Sequence, residues 1–95
     1  MEIKGIVVQV NPVQTVGANN FKKSSMWIET IGEQYPQTLE IEFVKEKADE
    51  IQSIQSGVEI TIQINLKGRQ WTNPQGETKV FNTIQGWKYD VKTDF

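Results

Sequence analysis

The sequence predicts an all-β fold, a small closed barrel of five strands with one short helix between the third and the fourth. Three observations carry that expectation. Apolar and polar residues alternate at period two through most of the chain. One segment, residues 44–55, switches to a helical period. Stretches rich in Gly, Asn and Pro punctuate the apolar runs near 11–20, 32–36 and 73–76.

The first strand covers residues 2–10, with Ile3, Ile6, Val7, Val8 and Val10, and Gly5 inside it marks a bulge or a sharp coil. Asn11-Pro12 opens a loop that runs to about Asn20. In the second strand, Phe21 to Thr30, Met26 and Ile28 form the core face, and Phe21, Lys23, Ser25, Trp27 and Glu29 point the other way. Gly32 to Pro36 makes a turn. Leu39, Ile41 and Phe43 then alternate with Thr38, Glu40 and Glu42 in a half-buried third strand. Val44, Ala48, Ile51 and Ile54 or Gln55 recur at helical spacing, and Gly57 closes that helix. The fourth strand sets Ile60, Ile62, Ile64 and Leu66 against Thr61, Gln63, Asn65 and Lys67. A hairpin tip from Trp71 to Gly76 leads into a fifth strand, roughly Lys79 to Tyr89.

This order is that of the OB-fold, a five-stranded Greek-key barrel that binds oligonucleotides on its second and third strands and its loops. A long first strand with an internal Gly can serve both halves of such a sheet. The rival, an SH3-like small barrel, needs no helix at this position. Residues 1–90 are read as one domain and 91–95 as a short C-terminal tail, a length that allows one modest core.

Composition excludes several chemistries. The chain has no Cys and no His, which removes disulfides, Cys/His zinc sites, His general bases and Cys nucleophiles. No phosphate loop or carboxylate cluster with metal spacing occurs, so no enzyme, metal or cofactor is expected. Met1-Glu2-Ile3-Lys4 leads straight into strand pattern without an apolar leader, and no run is long enough to cross a bilayer, so the expected address is cytoplasmic.

Net charge is −2, yet its distribution is uneven. Residues 1–23 carry +2, residues 24–64 carry −6 and residues 65–92 carry +3. A fold that joined the two positive segments would make one basic face. The most informative stretch is Leu66 to Lys79, where Lys67, Arg69 and Lys79 flank Trp71 beside an Asn73-Pro74-Gln75-Gly76 turn. A solvated indole among cations suits an unpaired nucleotide, because bases stack on aromatic faces while phosphates seek positive charge.

The candidate contacts are therefore Trp71, Trp27 and Phe21 as stacking groups, with Lys22, Lys23, Lys67, Arg69 and Lys79 on phosphates. For Trp71 the competing role is packing on a neighbouring subunit. Phe81 fits either a base contact or the core. Trp87, beside Ile84, is read as closing the barrel. Glu40 and Glu42 should face outward and would repel phosphates, so either the nucleic-acid path avoids them or that face meets a partner subunit.

The segment from Gly57 to Tyr89 also resembles the bacterial single-stranded DNA-binding protein family, whose Leu-x-x-Arg-x-Trp-Thr hairpin matches Leu66, Arg69, Trp71, Thr72 and Gly76. The likeness extends more loosely back through Phe43, the helix and Gly57, over about two thirds of the chain. The N-terminal third, with Phe21-Lys22-Lys23 and Trp27 to Thr30, looks like a group of small OB-fold proteins of unassigned function. The family's long tail has no counterpart after Tyr89. The tryptophan usual just before the third strand is missing, with Tyr35 nearby.

The resemblance implies a protein that coats single-stranded DNA without sequence preference, as a dimer or tetramer, during replication, recombination or repair. Trp71 would be the stacking tryptophan and Arg69 a backbone-contacting cation. It also implies that the terminal Asp94-Phe95 docks onto replication proteins. Every contact to DNA is to a base face or a phosphate, which RNA also offers. The alternative is an OB-fold protein-interaction module with exposed Trp anchors and no nucleic-acid binding.

Overall fold

The structure, a computed structural model, describes residues 1–92. Strands β1 (Glu2–Val10), β2 (Gln14–Val16), β3 (Phe21–Thr30) and β4 (Thr38–Val44) are followed by helix α1 (Glu46–Glu50) with a 3-10 turn at Ile51–Ser53. Strands β5 (Glu59–Thr72) and β6 (Thr78–Val91) complete the fold. The sheet order is β1-β5-β6-β4-β3-β2, and β1 also pairs with β3. That pairing closes a ring of five strands, β1, β5, β6, β4 and β3, as the OB-fold reading expected.

Strand β1 serves both halves of the ring. Its residues Glu2–Ile6 pair with β5, and residues from Gly5 to Val10 pair with β3. Gly5 stands where the two ladders overlap. A Cβ there would lie 2.7 Å from the Glu29 carbonyl oxygen, so only glycine lets the strands come this close. The register shift itself falls later, between Val7 and Gln9. The ring's other joint is the parallel pairing of β4 with β6, made through Ile41–Ile84 and Glu42–Gln85 alone.

The core is the inward face of these strands: Val7, Met26, Ile28, Ile41, Phe43, Ile60, Ile62 and Ile64, with Ile51 from the 3-10 turn. Period-two alternation places the strand residues there and period 3.6 brings Ala48 and Ile51 beneath them. Phe43 meets Tyr89 edge to face, ring centroids 6.0 Å apart. Gly86 passes directly under the Phe43 ring, which a Cβ would approach to 2.6 Å.

Three local expectations are corrected. Residues 14–16, read as loop, form β2 and pair with Phe21–Lys23. Leu66 continues the apolar alternation of β5 but is 65 % exposed, because beyond Ile64 no other part of the barrel packs over it. Trp87, read as closing the barrel, is 50 % exposed. Ile64 pairs with Gly86 and Gln63 with Lys88, so Trp87 is the extra residue of a bulge, which turns it outward.

Candidate nucleic-acid interface

Strands β5 and β6 run far beyond the barrel. From Lys67–Thr83 to Thr72–Thr78 they pair as a two-stranded arm, and every β5 residue from Asn65 to Thr72 is exposed. Trp71 and Thr72, expected in the tip, belong to the ladder. The turn is Asn73 to Glu77. The Asn73 side-chain oxygen accepts from the amides of Gln75 (3.0 Å) and Glu77 (2.8 Å). Gly76 takes a left-handed φ of 84° that a residue with a side chain would resist.

Register decides which side chains share a face, since directly opposed residues on antiparallel strands point the same way. Trp71 opposes Lys79, Arg69 opposes Phe81 and Lys67 opposes Thr83. By the same alternation these pairs lie on the side of Asn65 and Gln85. Gln85 pairs with Glu42, on the outward side of β4. On β3, Ser24, Met26, Ile28 and Thr30 are buried, which sends Phe21, Lys23, Ser25 and Trp27 outward. Phe21, Lys23, Trp27, Lys67, Arg69, Trp71, Lys79 and Phe81 thus occupy one outer face of the curved sheet.

Lys22 does not join them. Neighbouring strand residues point to opposite faces, and its Nζ lies 2.9 Å from Asp49 Oδ2 of α1. Asp94 and Phe95 lie outside the described residues.

The face is concave. Lys23, Ser25, Glu40 and Glu42 line a groove of about 890 Å³ together with Asn11 from the loop after β1 and Lys67, Asn82 and Thr83 from the arm's base, a volume on the scale of ligand sites. A second depression continues past Phe21, Val44, Arg69 and Phe81. Trp71, 46 % exposed, lies farther along the arm. Arg69 stacks over the Phe81 ring, 5.9 Å from its centroid, close enough for a cation–π attraction.

The Trp27 indole N–H donates to Glu40 Oε2 at 2.8 Å, and the Ser25 hydroxyl donates to the same oxygen at 3.3 Å. This carboxylate therefore fixes the ring plane of Trp27. Among the described residues the ion pairs are Lys22–Asp49 and Lys92–Glu59. Lys23, Lys67, Arg69 and Lys79 belong to neither, so their charge is left for a ligand.

Tyr35, 71 % exposed, is a further planar group outside the candidate set. Because β4 and β6 run parallel, the 31–37 loop before β4 and the turn before β6 lie at the same end of the barrel. The polar residues Asn11 and Asn82 carry no local sequence signal, and only the fold brings them to the groove. Among the described residues no cluster of carboxylates could hold a metal ion, and no helix is long and apolar enough to cross a membrane.

A family model described as "Domain of unknown function (DUF3127)" matches residues 2–90. The chain belongs to that family. Two solved structures of the mitochondrial single-stranded DNA binding protein Rim1 from S. cerevisiae share the family member's fold. One aligns with a TM-score of 0.72 at 12 % identity, and the selenomethionine-labelled form with 0.67 at 10 %. Each alignment covers 96 % of this chain and 91 % of the other. At such identities the likeness is one of fold. No curated protein matches the sequence.

Proposed function

We propose that this DUF3127 member binds single-stranded DNA with little sequence preference, as a non-catalytic protein that shields the strand during replication, recombination or repair. The observation that carries the reading is the shared outer face, where Phe21, Phe81, Lys23, Lys67 and Arg69 line two adjoining depressions with Trp27, Trp71 and Lys79 beside them, the cations outside every ion pair among the described residues. Trp71, Trp27, Phe21 and Phe81 supply stacking surfaces, and Lys23, Lys67, Arg69 and Lys79 neutralise phosphates. Stacking accepts any base, since every base has a π-face. The fold shared with a mitochondrial single-stranded DNA binding protein supports the same reading. RNA offers the same base faces and phosphates and is a competing ligand.

The exposure of Trp87 favours a companion reading. A solvated indole on a bulge suits an interface with a second copy or another protein. A homodimer or tetramer acting in the cytoplasm is part of the proposal.

The test is a fluorescence titration with oligo-dT at low salt. Binding should quench the tryptophan emission, and Trp71→Ala should weaken affinity by about 1–3 kcal/mol, the loss of one stacked base. An unchanged affinity in Trp71→Ala would remove the stacking assignment. Absence of any binding, with co-purification of a protein partner, would favour the interaction module instead.

A further inference from the structure

The two acids of the groove are not equivalent. Glu40 is committed to Trp27 and Ser25 within the fold. Glu42 faces Ser25 across the β3–β4 ladder, yet no hydrogen bond or ion pair among the described residues engages its carboxylate. It lines both depressions, in the company of Lys67 throughout and of Lys23 in the larger. A free carboxylate on the floor of a cationic track repels phosphates. A strand seated there must therefore turn its backbone toward the lysines and its base edges toward Glu42.

We propose that Glu42 is a specificity-determining residue that accepts a hydrogen bond from the exocyclic amino group of a base, biasing the groove toward cytosine over uracil and thymine. The inference rests on the nucleic-acid reading above and refines it, because the arm still stacks any base and only the groove discriminates. The chemistry is direct. Cytosine presents an N4 amino donor, for which Glu and Asp are suited acceptors. Uracil presents a carbonyl oxygen at the same position, and an acceptor facing a carboxylate is repelled. Asn82 and Ser25, which line the same groove, can rotate to donate or accept and so do not impose this choice.

The experiment compares oligo-dC with oligo-dU of equal length, which differ at the C4 substituent and the N3 proton and share the absence of a methyl group. Affinities are measured by fluorescence at one salt concentration for the full chain and for Glu42→Gln. Cytosine should bind about 5- to 100-fold more tightly than uracil, the span of one good base contact. Glu42→Gln, whose amide both donates and accepts, should tighten oligo-dU binding and bring the two affinities within about twofold. Equal affinities in the parent chain, or a discrimination ratio that Glu42→Gln leaves unchanged, would overturn the assignment of Glu42 while leaving stacking intact. Failure of the parent chain to bind either oligonucleotide would overturn the nucleic-acid reading itself.

Discussion

Single side chains divide here into those set by neighbours and those left open. Trp27 is held by Glu40, whereas Trp71 opposes Lys79, is 46 % exposed and makes no side-chain hydrogen bond among the described residues. Tyr89 belongs to the first kind. Burial pushes its phenol above the ordinary value of 10.0, and the nearby Glu50 carboxylate, which accepts its O–H at 3.3 Å, pushes it the same way. The folded protein therefore keeps this proton at pH values where the unfolded chain releases it. The resulting stability is complete below the unfolded value near 10 and drains away as pH rises through the folded value. Urea midpoints of the wild type and Tyr89→Phe should run parallel near neutrality. They should diverge above about pH 10, with the wild type falling faster. Parallel curves throughout would deny the shift. The separation of Lys22 from Lys23 is legible in the sequence, because they are adjacent on a strand and period two alone sends them to opposite faces.

Among the elements, the arm is the outlier. A two-stranded ribbon is marginal in water without a third strand or a packed face, and here its order depends on the turn. Asn73 holds two amides with one side-chain oxygen. Asn73→Ala should loosen the arm and weaken oligo-dT binding several-fold, while the thermal midpoint of the barrel moves little. Hydrogen exchange of residues 67–72 against 60–64 would measure this, and equal protection of the two segments in the variant would count against it. The strand limits were legible because each buried strand alternates cleanly, from Met26 and Ile28 to Ile60 and Ile62. Leu66 kept the alternation without the burial, since burial depends on what packs above and not on period. The three residues of β2 are too few to alternate. Trp87 was misplaced because a bulge adds a residue that no periodic pattern announces, although Gly86 just before it marks the place where the chain crosses Phe43.

The molecule as a whole measures 55 × 34 × 19 Å, a shape drawn out by the arm. The arm's Arg69 and Phe81 share a depression with Phe21 and Val44 of β3 and β4, so the unpaired cations of the arm's base stand beside Lys23 and not apart from the barrel. Net charge of −2 conceals the gathering of Lys23, Lys67, Arg69 and Lys79 on one outer face, which would orient an approaching polyanion toward that face. If Lys23, Lys67, Arg69 and Lys79 each neutralise one phosphate, log affinity for oligo-dT should fall with log salt at a slope near −3, about −0.7 for each contact. Titrations at several salt concentrations would read it directly, and a slope near zero would detach these cations from binding. The basic face was foreseeable from the charge of two distant segments, but its concavity arises from sheet curvature and long-range pairing that local sequence does not record.

The two rungs that join β4 to β6 have one further consequence. Glu42 and Gln85 are at once the narrowest seam of the ring and part of the groove floor. Any molecule lying across both strands there acts as a clasp on the place where the cylinder is most easily unzipped. Occupancy and closure then become a single thermodynamic event, and the tightness of the ring sets how firmly its cargo is held.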